Sequence, residues 1–578
     1  MALSDYIVTD DLTIILALAA AGLFVLHNLY KPQSLVHPIL LGRQSDVARV
    51  RNPGESAVCR NYGTGMLGRF PMRPTKDQQV LLDLVRPDAD APRTLWSTKI
   101  TNPQLRERAA AFGNGLIEVV GLVPKESNVL LLLNDSIEFI IADLALASNS
   151  IPSFTLNSLS LLSPVLDTHP PSAIITHAQF LPFLLELIYD SRESSHHKII
   201  VVGEPDGKDV KDLPLFRFDE IEREGVSIDS DGDPADHVPD PGEVFTVAFS
   251  ASPSGELQGA ELTHENLTAG VAAARALLPL SSAISPLDTI ASAFSLSTPY
   301  GRAIAYTAIY EGTSFATLDS AKVVVKNGRS ATTDLEDLFS MNSLPVPSPT
   351  LYFVKPSHLD KLASAVIEEA KKSSSWIMYN LAWRHKFAGL LEGFLTKQSL
   401  WDRLVFDAAR VKVMGKGAGT VRGIVVSGGN VDAQALTPAR IALSVPLVNA
   451  YSHPLVAGPV LASHPLDLQT FPLHTQKAGQ SAADAFAFTY TSPVGPPSVN
   501  IEAKLVGVDD PAVENGADPV GALYVRGPSV GKLLNTQDSP VQEENAEDKG
   551  WVNTGDRAKV APNGTFKVVS VVAKGSST

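Results

Sequence analysis

Cysteine is nearly missing from this chain: Cys59 stands alone among 578 residues. No disulfide framework and no thiolate metal cluster can be built from one thiol, and the usage fits a reducing compartment. A catalytic thiol would need a base partner, and the sequence presents none beside Cys59. Basic residues are also scarce, at 47 Lys and Arg against 62 Asp and Glu, for a net charge of -15. Phosphate backbones need clustered cations, so a nucleic-acid partner is excluded. His196, His197 and His453 have no carboxylate at ligand spacing and read as ordinary histidines. No repeat of 20 to 50 residues is visible, which excludes a solenoid. What remains is a chain with 44% hydrophobic residues, too long for a single core.

Only one long apolar run is present, Leu12 to Leu29 (LTIILALAAAGLFVLHNL). Its 18 residues reach roughly 27 Å as a helix, close to a bilayer's hydrocarbon thickness. Asp5, Asp10 and Asp11 precede it; Lys31, Arg43, Arg49 and Arg51 follow. A cleavable signal needs a basic leader, so the expectation is a retained transmembrane or membrane-anchoring helix. The positive flank puts the bulk of the chain on the cytosolic side. A buried core helix is the plain alternative. Endoplasmic reticulum, lipid droplet, peroxisome and mitochondrial outer membrane are not distinguished.

Regular alternation begins after residue 92. Asn102-Pro103 opens a helix running to about Val120, and Val129 to Leu133 is wholly apolar, as a buried parallel strand requires. A helix over Ser136 to Ala147 and strands at Ile151, Ala173 and Lys198 continue the pattern, which predicts a doubly wound α/β sheet.

The chemistry-bearing segments lie further on. After the apolar strand Val244 to Phe249 comes SASPSGELQGAELTHENL. A strand, a small-residue loop and a helix together form the usual frame of a phosphate cradle. Gly255, Gly259, Leu262, Thr263, His264 and Asn266 keep the register of a known signature loop. Ser427-Gly428-Gly429, Tyr451, the strand GALYVRGPSV and the segment WVNTGD ending at Asp556 follow in order. On these residues the chain resembles the adenylate-forming (AMP-binding) superfamily, most closely the eukaryotic long-chain acyl-CoA ligases, over about Trp96 to Val572.

The resemblance implies an α/β fold of stacked doubly wound sheets plus a small β-rich subdomain. The expected order is an acidic tail (1–11), the anchor helix (12–30), an irregular basic strap (31–92), a first α/β subdomain (93–226) and an acidic linker (227–243). A second α/β subdomain carrying the loop (244–470), a β-rich subdomain (471–569) and a residual hinge (570–578) follow. It also implies that Ser250, Ser252, Ser254, Gly255, Gln258 and Gly259 form the phosphate loop, and that Ser427, Gly428, Gly429, Tyr451 and Asp556 form the nucleotide site.

Departures from the family pattern fall on the reacting positions. Gln258 stands where the family has Lys, Pro253 where it has Thr, Ser252 where it has Gly, and Leu455 where it has the Mg²⁺-binding Glu. Leucine offers no oxygen to a hard cation. The family's C-terminal subdomain, with its lysine, is expected to be absent. Losing one preorganised donor typically costs ~10²–10³ in rate. The expectation is therefore a pseudoenzyme with no catalytic residues and no metal site, keeping at most residual ATP or AMP binding. Its partners would be a membrane, a fatty acid or acyl-CoA, and an active acyl-CoA ligase. Two alternatives stay open: a genuine ligase whose last subdomain is lost from the sequence or supplied in trans, and a ligand-free structural protein of lipid droplets or membrane contacts.

Overall fold

Helix caps and apolar strands set the framework of the computed structural model. It describes residues 10–29, 35–190, 197–204, 215–227, 239–252, 255–324, 333–469, 488, 491–534 and 550–569. Thr101 caps the helix Asn102–Glu118 through a reciprocal pair with Gln104, and Pro103 sits in its first turn. Thr263 and Asn266 cap His264–Arg275 in the same way. Each side chain accepts from the other's backbone N–H, satisfying donors that a helix start leaves orphaned. Val129–Leu132, Leu351–Val354 and Gly423–Val426 are buried at every residue. Both faces of these strands are therefore covered, as a parallel sheet demands.

Three sheets result. The first has eight strands, in the order Lys532–Leu533, Leu257–Thr263, Val244–Ala251, Ser153–Leu156, Val129–Leu132, Ala173–His177, Lys198–Val202 and Leu215–Arg217. Its pairs from Val244–Ala251 onward are parallel. The second also has eight, in the order Pro459–Ala462, Leu447–Ser452, Gly423–Val426, Leu351–Val354, Thr289–Ser292, Ser314–Thr317, Arg93–Leu95 and Thr98–Ile100. A third, six-stranded sheet is antiparallel throughout. A single apolar core joins the two eight-stranded sheets through helices Ile137–Ser148 and Pro299–Glu311. The six-stranded sheet has its own core around Ile501, Leu523 and Phe566.

Several expectations need correction. The boundary at residue 244 does not follow the sheets, because Val244–Ala251 pairs with Ser153–Leu156 in the first sheet. Arg93–Ile100, expected in the first subdomain, extends the second sheet. The strap is not wholly irregular: Ser45–Val47 and Cys59–Asn61 form an edge hairpin of the third sheet. Most of the acidic tail (1–9), the linker residues 228–238 and the hinge (570–578) lie outside the described residues.

The expected membrane span is also corrected. A helix does form at Asp11–Leu29. Among the described residues, however, no helix is long and apolar enough to cross a membrane. Leu12, Ile15, Leu18 and Phe24 on this helix are exposed.

Candidate functional site

The carboxyl ends of the parallel strands converge on one cavity of about 520 Å³. That is where open α/β sheets place their ligands, because loops leaving neighbouring strands diverge there. Asn157 follows Ser153–Leu156, Phe294 follows Thr289–Ser292, Lys355 follows Leu351–Val354, and Gly428 follows Gly423–Val426. Tyr451 and His453 come from the end of Leu447–Ser452, and Asp556 and Val568 come from the six-stranded sheet. All three sheets thus contribute to one wall.

Sequence-expected residues divide into two groups. Ser250, Gly428, Gly429, Tyr451 and Asp556 line the cavity. Ser427 lies behind it, fully buried, with its Oγ donating to Ser452 Oγ at 3.0 Å. Gly428 has φ +77, and a Cβ placed there would sit 2.9 Å from Phe294 Cε1. The turn therefore requires glycine for both conformation and space.

Ser252, Gly255, Gln258 and Gly259 do not line the cavity; Ser254 lies outside the described residues. The loop is the turn of a hairpin whose strands pair Ser250 with Gln258 and Ala251 with Leu257. Ser252 N donates to Glu256 O at 2.8 Å, and Gly255 N donates to Ser252 O at 2.8 Å. Glu256 N donates to Ser252 Oγ at 3.1 Å. Each of these backbone donors is already spent inside the turn, and Pro253 has no N–H to offer. Gly259 serves packing, since a Cβ there would meet Leu534 Cβ at 3.0 Å and Phe249 Cε1 at 3.2 Å.

On the far wall, Tyr451 Oη donates to Asp556 Oδ2 at 2.5 Å. Burial, and then the adjacent Asp556 carboxylate, hold the Tyr451 phenol well above its ordinary range, so it remains the donor. His453 is pushed down by burial. Its Nδ1 accepts from Leu455 N at 3.3 Å, so the proton sits on Nε2, which faces Thr554 O at 3.0 Å.

Leu455 is buried in an apolar cluster with Ala248 and Ala260, and Val552 packs against it. The signature His264 is a buried structural residue: its Nδ1 accepts from Leu81 N at 3.1 Å and its ring stacks on Phe245. Burial pushes it down to about 4, so it is neutral at pH 7.

Sequence reading missed Lys355, Phe294, Tyr300 and Asn430 in the cavity wall. Lys355-Pro356 immediately after an apolar strand was the available signal, since the carboxyl end of a parallel strand is a favoured ligand position.

Comparison with known proteins places this geometry. The AMP-binding enzyme family matches residues 85–533, and the chain belongs to that family. Human long-chain-fatty-acid–CoA ligase 1 is 27% identical over 332 residues, covering 57% of this chain and 41% of the relative. The peroxisomal long chain acyl-CoA synthetase 6 of Arabidopsis thaliana is 24% identical over 508 residues, covering 86% of this chain and 64% of the relative. Matches to the first relatives thus span about two fifths of their length. Among solved structures, the anthranilate CoA ligase AuaEII in complex with anthranoyl-AMP superposes with TM-score 0.58 at 15% identity, covering 86% of this chain and 78% of that one. A long-chain-fatty-acid-CoA ligase from Archaeoglobus fulgidus gives TM-score 0.56 at 14% identity, covering 86% and 84%. These likenesses establish the adenylate-forming fold.

The described residues of the cavity wall are a poor match to a magnesium-bound triphosphate. Among the described residues the cavity wall offers one carboxylate, Asp556, already engaged by Tyr451, and the N–H groups of Ser252, Gly255 and Glu256 donate to oxygens of the same turn. Among the described residues no group of three or more His, Cys, Asp or Glu is arranged to hold a metal.

Proposed function

We propose that this chain is a pseudoenzyme of the long-chain acyl-CoA ligase type, which binds a fatty acyl ligand and acts as a binder or regulator. The observation that carries this reading is the coexistence of a formed cavity with a loop whose described backbone donors, those of Ser252, Gly255 and Glu256, are used within the turn. Ligand pockets are mostly apolar with a few placed polar groups, and this wall matches that description with Phe249, Phe294, Val431 and Val494 around Ser250 and Lys355. The curated relatives bear names of long-chain fatty acid ligases, which supports a fatty acyl ligand. Gln258 and Leu455 support the loss of adenylation, because neither a cation nor a carboxylate stands at those positions. An active acyl-CoA ligase is the partner this reading implies.

The exposed apolar helix Asp11–Leu29 supports anchoring to a membrane, with the bulk of the chain facing the cytosol. The test is direct: purified chain incubated with ATP, Mg²⁺, palmitate and CoA should form no palmitoyl-CoA above blank, while palmitate alone raises its melting temperature. Palmitoyl-CoA formation would contradict the pseudoenzyme reading. A flat thermal response would contradict the binder reading.

A further inference from the structure

We propose that Lys355 is the residue that holds the carboxylate of the cavity's fatty acyl ligand, an inference that rests on the binder reading above. Lys355 is the one Lys or Arg among the described residues that line the cavity. It forms no ion pair among the described residues. Asp556, the one carboxylate among the described residues of the same wall, accepts from the Tyr451 hydroxyl. A cation facing an apolar chamber without a counter-charge is a receptor for an anion.

Its placement is fixed from behind. Lys355 N donates to His358 Nδ1 at 3.3 Å. That bond leaves the imidazole proton on Nε2, which donates to Asp337 Oδ2 at 2.7 Å. Asp337 in turn accepts from Ser320 N at 2.8 Å through Oδ1. His358 and Asp337 are both buried. This chain anchors the start of helix Pro356–Ser373, so the lysine's base is set before any ligand arrives. The stem then runs beside the Gly428 turn: a Cβ placed on Gly428 would sit 3.9 Å from Lys355 Cγ.

A second group in the same wall points to a ligand independently. Ser250 is 4% exposed, and its Oγ has no hydrogen-bond partner among the described residues. A buried hydroxyl left unpaired costs free energy unless something in the cavity completes it. A carboxylate can accept from both an ammonium and a hydroxyl, whereas a neutral head group cannot use the ammonium's charge. Phe294 and Tyr300, edge-to-face at 4.9 Å, then flank the hydrocarbon. Nothing in this arrangement transfers a group; Lys355 binds and orients.

The experiment titrates palmitate, hexadecanol and AMP into the full chain by calorimetry, using the parent, Lys355→Met and Lys355→Arg. Palmitate should bind about 10- to 100-fold more weakly to Lys355→Met, the range of one charge-assisted hydrogen bond. Hexadecanol should bind both equally, and Lys355→Arg should restore palmitate to within a few fold of the parent. Circular dichroism melts of the three proteins establish that each is folded. Unchanged palmitate affinity in Lys355→Met, or a loss confined to AMP, overturns the inference and leaves the binder reading standing. Failure of palmitate to bind the parent overturns both.

Discussion

Tyr451 Oη donates a 2.5 Å hydrogen bond to Asp556 Oδ2, joining the strand Leu447–Ser452 of the second sheet to the strand Val552–Val560 of the third across the cavity wall. The carboxylate that would face a nucleotide's hydroxyls therefore has a protein partner. Replacing the phenol by Tyr451→Phe deletes the donor and leaves the carboxylate part-buried beside it. We expect a loss of about 1–3 kcal/mol in urea unfolding. An unchanged midpoint would show that the pair contributes nothing to holding the two sheets together.

Glycine 428 is the second wall element under constraint. Gly428→Ala must adopt φ +77 and brings a Cβ to 2.9 Å from Phe294 Cε1. Strain and overpacking together should cost about 2–4 kcal/mol. Palmitate affinity should fall as Phe294 is displaced, which calorimetry reads directly.

Acid lability should trace in part to His264. Burial holds this imidazole down to about 4, against an ordinary value of 6.5. Between those values the unfolded chain binds a proton that the folded chain refuses, so the contribution is full above about 6.5 and is lost as pH falls toward 4. Roughly 3 kcal/mol is at stake by linkage. Asp135, whose carboxyl burial raises to about 7, contributes with the opposite sign. The readout is therefore the difference between parent and His264→Gln in urea melts from pH 7 to 4. That difference should shrink on acidification.

A buried charge cluster outside the cavity carries fold stability. Asp402 accepts from Lys386 Nζ at 2.7 Å and from Arg410 Nη2 at 2.8 Å, and its side chain is fully buried. Asp402→Ala leaves buried Lys386 without a carboxylate partner and Arg410 with Asp407 alone, and should cost about 3–5 kcal/mol. Thermal denaturation checks this, and a melting temperature within a degree of the parent would contradict it.

How much of this was legible before the structure differs between fold and site. Strands such as Val129–Leu132 and Lys198–Val202 are uninterrupted apolar runs, and Thr101-Asn102-Pro103 is a local start signal, so alternation was readable from short-range chemistry. Sheet membership was not, because pairing Val244–Ala251 with Ser153–Leu156 across some ninety residues is a tertiary choice that no local pattern encodes. At the site, Ser250, Gly428, Tyr451 and Asp556 were found through motifs. Lys355 and Phe294 belong to no motif; each follows the carboxyl end of an apolar strand, and strand order brings both to the cavity. The apolar N-terminal run was read by length from the sequence, and among the described residues no helix is long and apolar enough to cross a membrane.

Leu455→Glu probes the position where the family resemblance places a carboxylate. Leu455 is 1% exposed among Ala248 and Ala260, so a carboxylate there is buried without a partner. The variant should lose about 3 kcal/mol or more of stability and gain no magnesium affinity. A stable variant that binds Mg²⁺ would contradict this packing account.

Palmitate-dependent exchange of labelled pyrophosphate into ATP tests the loss of adenylation most directly, since it reads the first half-reaction alone. The account predicts exchange indistinguishable from a no-protein blank for the parent chain with Mg²⁺ present. Robust exchange that depends on both palmitate and the chain would contradict it.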